Sequence, residues 1–337
     1  MTTPLVLLAD IGGTNARFAL ADTERPAPLL IDSVRQFEVV DFPSLAHSAA
    51  HYLDASTVHR GRVRSAVFAI AGRVTGDHAR ITNHHWVISR TATQDALGLD
   101  SLRLVNDFAA QAMAVELLTD KDLVALGDVP WVPPTGDTRT YAVLGPGTGL
   151  GVSALIVREG RGIALETEGG HVGFSAGTPE EAAILERLSC TYGRVSDERL
   201  VSGGGLVNIH RALCEIAGED APDMRPHDIT AGAARGDERC QRTIEVFCAV
   251  FGAIAGDLAL TLGAWDGVFL TGGLVPRLLE DLKQSRFRER FEAKGRFAAA
   301  MARVPTMAVV HPQAGLLGAA AFAMQDSPSP RSAAKFG

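Results

Sequence analysis

Nowhere in the 337 residues is there a G-x-x-x-x-G-K-[ST] segment, so the phosphate loop that ends on a lysine is excluded. A strict G-x-G-x-x-G is missing too, and the glycine stretch ending at Gly151 runs into strand-like alternation. A dinucleotide site needs a helix at that point to hold the pyrophosphate, so dinucleotide binding is disfavoured. Basic residues are short: 32 Lys and Arg against 39 Asp and Glu give a net charge of −7, without the basic stripe of a nucleic-acid binder. Acidity does not exclude an anionic substrate, because backbone N–H groups bind phosphate inside acidic proteins. Cysteine is scarce, and Cys190, Cys214, Cys240 and Cys248 show no C-x-x-C or other metal spacing. Three of them fall in apolar helical patterns, as buried free thiols of a reducing cytoplasm do. The N-terminus lacks a basic region and has an apolar run too short for a signal peptide. No stretch reaches the roughly 18 uninterrupted apolar residues of a membrane span. The most apolar region, 246–262, holds Asp257 and two glycines and reads as a core helix. The expectation is a cytoplasmic protein with no nucleic-acid or membrane partner.

What is present is glycine, 35 residues of it without low complexity, implying many tight turns and close backbone approaches. The length suits two domains. Strand and helix signals alternate, which is an α/β pattern. Strands are expected over 5–9, 16–21, 63–70, 101–105, 140–144, 152–157 and 267–270, with helices over 108–118, 179–190, 205–217 and 236–262. Three prolines in 130–137 mark a break where the chain crosses between domains. The Ser/Pro-rich tail, 327–337, is expected to be disordered. One unit occurs twice: strand, glycine turn with threonine, strand, as LLADIGGTNARFAL and again as YAVLGPGTGLGVSAL. Two copies about 135 residues apart suggest a duplicated α/β domain with a cleft between the halves.

Both turns suit an anion. In DIGGTN, Gly12, Gly13, Thr14 and Asn15 offer backbone N–H groups and a hydroxyl; Gly147, Thr148 and Gly149 do so in the second turn. Asp10 has the chemistry to hold hydrated Mg²⁺ through water. The competing reading is a pair of purely structural hairpin turns. Asn106 and Asp107 lie where a strand gives way to a helix, the place where ligands collect in open α/β sheets and equally where Asn and Asp cap helices. Glu168 and His171 flank two glycines, a combination suited to a polyol, to a metal half-site or to a solvated turn. FLTGG, 269–273, is a strand ending in Gly272 and Gly273 before a helix, and an ordinary strand–helix turn has the same form.

DIGGTNAR, LVNDF, GPGTGLG, EGGH and FLTGG, in this order and spacing, resemble the bacterial glucokinases of the actin/hexokinase-like superfamily, from about residue 5 to about residue 324. The resemblance implies a two-domain actin/hexokinase-like (ribonuclease-H-like) α/β fold, with domains at 1–116 plus 312–326 and at 117–311. It implies transfer of phosphate from ATP to the 6-hydroxyl of glucose, Mg²⁺ bridging the phosphates, and a homodimer. It makes Asp107 the general base. Asn106, Glu168, His171 and Glu198 become sugar ligands, although Glu198 also reads as an exposed first-turn helix acid. Gly272 and Gly273 become the adenosine turn, and TNHHW, 82–86, a segment near the sugar, with Trp86 equally suited to core packing. Many relatives carry Ala at Pro146, Asp at Gly173 and Pro at Gly204. No zinc-type cysteine cluster follows His171 and no helix-turn-helix precedes Leu5, which disfavours the related zinc-dependent and repressor groups. Three alternatives stay open: a kinase of mannose, fructose or an N-acetylated amino sugar, a nucleotide-driven switch, and a non-catalytic sugar sensor.

Overall fold

The computed structural model describes residues 4–56, 60–81, 86–133 and 135–326. The tail 327–337 and Thr82, Asn83, His84 and His85 of the TNHHW segment lie outside the described residues. Contacts divide the chain into two units. One holds the residues up to Thr119, Arg161–Ala164 and the residues from His311 onward; the other holds Asp120–Gly160 and Leu165–Val310.

The first unit is built on β1 (Leu5–Ile11), β2 (Asn15–Ala21), β3 (Leu29–Glu38) and β4 (Val63–Ile70). The short strands β5 (Val74–Thr75), β6 (His78–Arg80) and β7 (Val87–Ser89) form a separate small sheet, and β8 (Ser101–Asn106) completes the main one. The main sheet runs β3-β2-β1-β4-β8, with β1 antiparallel to β2 and parallel to β4. Strands β1 and β4 are nearly continuous apolar runs because both faces of the sheet are covered. Phe18 stacks on Tyr52 at 5.5 Å and meets Phe68 edge-on, and Trp86 is buried in the same core. Helices α1 (Leu45–Ala55), α2 (Arg90–Leu97) and α3 (Asp107–Ala114) belong to this unit. Helix α3 stops earlier than the pattern over 108–118 suggests. Beyond Ala114 the bonds shorten to Val115 N–H on Ala112 O, Glu116 on Met113 and Leu117 on Ala114, tightening the chain into turns.

The second unit repeats the plan. Its sheet comprises β9 (Leu123–Ala125), β10 (Thr138–Pro146), β11 (Leu150–Arg158), β12 (Arg161–Glu166, whose first four residues are counted with the first unit), β13 (Gly267–Leu270) and β14 (Thr306–Val309). They run β12-β11-β10-β13-β14-β9, so the first five fall in the same 3-2-1-4-5 arrangement as the other sheet. The glycine turn expected over 145–151 contracts to Gly147, Thr148 and Gly149, because Gly145 stays paired with Gly151 and Pro146 with Leu150. The helices are α4 (Pro179–Tyr192), α5 (Gly203–Ala217), α6 (Pro226–Ala234), α7 (Glu238–Leu262), α8 (Leu279–Gln284), α9 (Phe287–Glu292) and α10 (Ala298–Met301). Helix α7 is long and apolar enough to cross a membrane, yet 78% of its apolar window is buried inside the protein, where Phe247 and Phe251 lie at the centre of the core.

The last helix, α11 (Ala314–Asp326), returns to the first unit and packs on α3. A Cβ on Gly318 would fall 1.7 Å from the carbonyl oxygen of Ala110, so the two helices cross with backbone against backbone. Only glycine permits that approach.

Candidate active site

In the first unit the turn between β1 and β2 closes with Gly12 N–H donating to Asn15 O at 2.9 Å. Val39 N–H donates to Thr14 O, holding the far side of the turn to the chain after β3. Three side-chain bonds brace it in series. Gln36 Nε2 donates to Asn15 Oδ1 at 2.9 Å, Arg17 Nε donates to Gln36 Oε1 at 3.0 Å, and Arg17 Nη1 reaches Asp10 Oδ2 at 3.4 Å. Sequence reasoning missed Arg17 and Gln36 as bracing groups. Arg17 stands inside the DIGGTNAR motif, whereas Gln36 carries no local signal because it reaches the turn only through strand pairing.

Asp10, near the end of β1, is largely enclosed. Burial raises its carboxyl above the ordinary value, and the adjacent Arg17 guanidinium opposes that shift. The start of α11 presses on it: a Cβ on Gly315 would lie 2.8 Å from Asp10 Cγ. Among the described residues Asp10 Oδ1 has no hydrogen-bond partner, while Oδ2 faces Arg17. A hard oxygen donor with an unused lone pair, in a place where burial calls for a compensating positive charge, fits a hydrated Mg²⁺.

Asn106 and Asp107 stand at the junction of β8 and α3, at the carboxyl end of a parallel strand. Asn106 caps the helix, its Oδ1 accepting from Phe108 N–H at 2.9 Å and Ala109 N–H at 3.1 Å. Its amide donates to Gly72 O at 3.1 Å, tying the cap to the loop after β4. The capping reading of Asn106 is thus what these bonds display. Asp107 follows as the first helical residue, half-buried, its Oδ1 accepting from Phe108 N–H at 3.0 Å.

In the second unit the turn after β10 closes with Gly147 N–H on Gly149 O at 2.8 Å. The N–H groups of Thr148 and Gly149 have no partner among the described residues. Glu198, on the short turn Asp197–Arg199, lays its carboxylate over this turn, with Oε2 accepting from Leu150 N–H at 2.9 Å. Its Oε1 is 4.0 Å from His171 Nδ1. Glu168 and His171 flank the 3₁₀ turn Gly169–His171, which is seated on the start of β11. A Cβ on Gly170 would meet Leu150 O at 2.0 Å, and Thr167 Oγ1 bonds both Val152 O and Gly169 N–H. The backbone from Val172 to Phe174 pairs with that from Val195 to Asp197, so the Glu168–His171 and Glu198 segments are registered on each other. Both Glu168 and His171 are exposed.

Asp197 was not among the expected residues. Its carboxyl is pushed up to about 7 by burial first, then by the like charge of Asp257, against the opposing pull of Arg194. Gly272, with φ of 86°, fits against Pro146 O and Gly145, and Gly145 in turn fits against Thr271 O, so the FLTGG turn and the approach to the glycine turn interlock. A Cβ on Gly273 would meet nothing within 4 Å, leaving open space at the end of β13.

Within each unit, then, a glycine hairpin sits beside a carboxylate, on a sheet of 3-2-1-4-5 order. That doubled plan is the actin/hexokinase-like class of fold. The glucokinase family model matches residues 7–326. The chain is 63% identical to the glucokinase of Stenotrophomonas maltophilia strain R551-3 over 321 residues, which are 94% of each chain. It superposes on a glucokinase from an Antarctic psychrotroph with a TM-score of 0.84 at 33% identity, covering 97% of this chain and 100% of that one. A Streptomyces griseus ROK family glucokinase solved with glucose and AMPPNP shares the fold, with a TM-score of 0.64 at 19% identity and coverage of 95% and 99%. The chain belongs to the glucokinase family.

Proposed function

We infer that this protein transfers the γ-phosphoryl group of ATP to the 6-hydroxyl of glucose, with Asp107 as the base that takes the hydroxyl proton. Family membership supports the reaction. The observation that carries the residue assignment is Asp107 itself: a carboxylate at the first position of α3, at the carboxyl end of a parallel strand, on a helix start that Asn106 clamps through Phe108, Ala109 and Gly72. Phosphoryl-transfer transition states are loose, so positioning contributes more than basicity, and a carboxylate of ordinary strength serves.

Each remaining residue has a role that its surroundings support. Glu168, His171 and Glu198 hold sugar hydroxyls, the carboxylates accepting and the imidazole donating or accepting, and the Asn106 amide joins them at the helix start. Gly12, Gly13, Thr14 and Asn15, with Gly147, Thr148 and Gly149, bind phosphate oxygens through N–H and hydroxyl donors. Gly272 turns the chain and Gly273 leaves room for the adenosine. Asp10 holds Mg²⁺ through water. When bound, the metal neutralises charge on the transferring phosphates. The protein's own contribution at that point is to keep Asp10 ionised and aimed, through Arg17 and the start of α11. The family resemblance also supports a homodimer, and the free thiols of Cys214, Cys240 and Cys248, all buried, support a cytoplasmic location.

The test is ADP release with Mg-ATP across a panel of hexoses. Stimulation by glucose that is lost in Asp107→Asn, with the fold retained by circular dichroism, is the expected result. Near-normal turnover in Asp107→Asn would remove Asp107 from the mechanism.

A further inference from the structure

Glu198, read above as a sugar ligand, lies over the second glycine turn. Its carboxylate is bonded to Leu150 N–H at the end of the glycine turn, and it lies so close over Gly149 that a Cβ there would fall 2.2 Å from Oε2. The adjoining N–H groups of Thr148 and Gly149 are unclaimed among the described residues. A carboxylate therefore sits beside N–H donors arranged to receive a phosphate oxygen. Like charges at such a separation repel strongly in a partly enclosed site.

The side chain is also easy to move. It is 30% exposed, Oε2 accepts from Leu150 N–H, and Oε1 lies 4.0 Å from the exposed His171. Its backbone is fixed independently, with Ser202 Oγ donating to Glu198 O at 2.7 Å. Rotation of the side chain would release Leu150 N–H without disturbing the turn that carries it.

We propose that Glu198 gates the phosphate-binding turn in response to sugar. Without sugar its carboxylate covers the Gly149 and Leu150 end of the turn and weakens nucleotide binding. Sugar hydroxyls draw the carboxylate toward His171, uncover Leu150 N–H and remove the charge from the phosphate's place. This rests on the reading of Glu198 as a sugar ligand and of Gly147, Thr148 and Gly149 as phosphate ligands. It gives the enzyme a means of holding ATP weakly until there is an acceptor for the phosphoryl group. Because coupling between two binding sites is reciprocal, nucleotide must tighten sugar binding by the same factor.

The experiment is equilibrium binding of Mg–AMPPNP to the full-length protein, with and without saturating glucose, for the wild type, Glu198→Gln and Thr148→Ala. The side-chain amide introduced by Glu198→Gln keeps an acceptor for Leu150 N–H but carries no charge, so it separates repulsion from bracing. In the wild type, glucose should tighten the nucleotide on the order of tenfold. In Glu198→Gln, sugar-free affinity should rise to about the wild-type glucose-bound value, and the remaining glucose effect should fall below about twofold. Sugar-free nucleotide affinity that is unchanged or weaker in Glu198→Gln would overturn the gate. Thr148→Ala reports on the underlying site: if it weakens nucleotide while Glu198→Gln changes nothing, only the gate falls. If neither variant alters nucleotide binding, the turn is not the phosphate site and the residue assignment falls with it.

Discussion

The two glycine hairpins share a sequence plan and differ in how they are supported. The first turn carries its carboxylate within the motif: Asp10 lies two residues before Gly12 and is held by Arg17 from the facing strand. In the second turn the residue two places before Gly147 is Gly145, where a Cβ would fall 2.3 Å from Thr271 O, so no side chain fits. Its carboxylate, Glu198, arrives from 48 residues downstream of the Leu150 N–H that it bonds. The glycines differ in the same way. Gly12 has room, since a Cβ would meet only Asn15 O at 3.7 Å. Gly145, Gly170 and Gly272 are pressed against backbone and have none. Around the second turn, Gly145 packs with Gly170 and Gly272 of the neighbouring loops against backbone, whereas Gly147 at the tip meets nothing within 4 Å.

Four variants test that contrast. The largest effect belongs outside both turns, at Asp107→Asn, where kcat should fall about a thousandfold while the melting temperature stays near the wild-type value. Unchanged stability there would set a chemical residue apart from the packing glycines. Next, Gly145→Ala should destabilise the protein by about 3 kcal/mol, because the opposing atoms are backbone and cannot swing away. Urea unfolding measures it, and a loss under about 1 kcal/mol would mean that the second hairpin is as roomy as the first.

Asp197→Asn comes third and is a pH experiment. The Asp197 carboxyl titrates at about 7 in the folded protein against an ordinary 3.8, so the folded state retains a proton that the unfolded state has lost. Its contribution to stability is full below pH about 4, declines as pH rises toward 7, and is constant above that. The Asn variant should lack this decline and be more stable than wild type at pH 8, on the order of 1 kcal/mol after allowance for screening. Parallel stability-against-pH curves for the two proteins would contradict the assignment. Smallest in stability is Gly12→Ala, expected within about 0.5 kcal/mol of wild type, with the damage appearing instead as a raised KM for ATP. A cooperative loss of fold in this variant would erase the distinction between the hairpins.

Much of this site is legible in the chain alone. Strands β1, β4, β10 and β13 are short apolar runs that lead into glycine-bearing turns, and buried central strands have that form. Asn106 and Asp107 announce a helix start through their side chains alone, and the cap is there. Less is legible at the sheet edges. Strand β3, Leu29–Glu38, carries Asp32, Arg35 and Gln36 on a half-exposed edge, and beyond its first three residues shows no apolar run. Strand β14 has only four residues, too few for a period. The glycine turn reads longer than it is, because glycine content does not reveal whether Gly145 and Gly151 remain paired.

By itself the sequence determined the doubled α/β plan, the position of both glycine turns and the residue types beside them, since those depend on local periodicity and on conformations few residues adopt. Tertiary structure decided which carboxylate serves which turn. Arg17 reaches Asp10 across one hairpin, a local contact, whereas Glu198 reaches Leu150 only after α4 and the Val172 to Asp197 pairing have folded back upon β11. It also decided that Gly315 and Gly318 of the last helix lie against Asp10 and Ala110, about 300 and 200 residues earlier in the chain. Contacts of that span follow from how whole layers pack, and no local pattern in the chain encodes them.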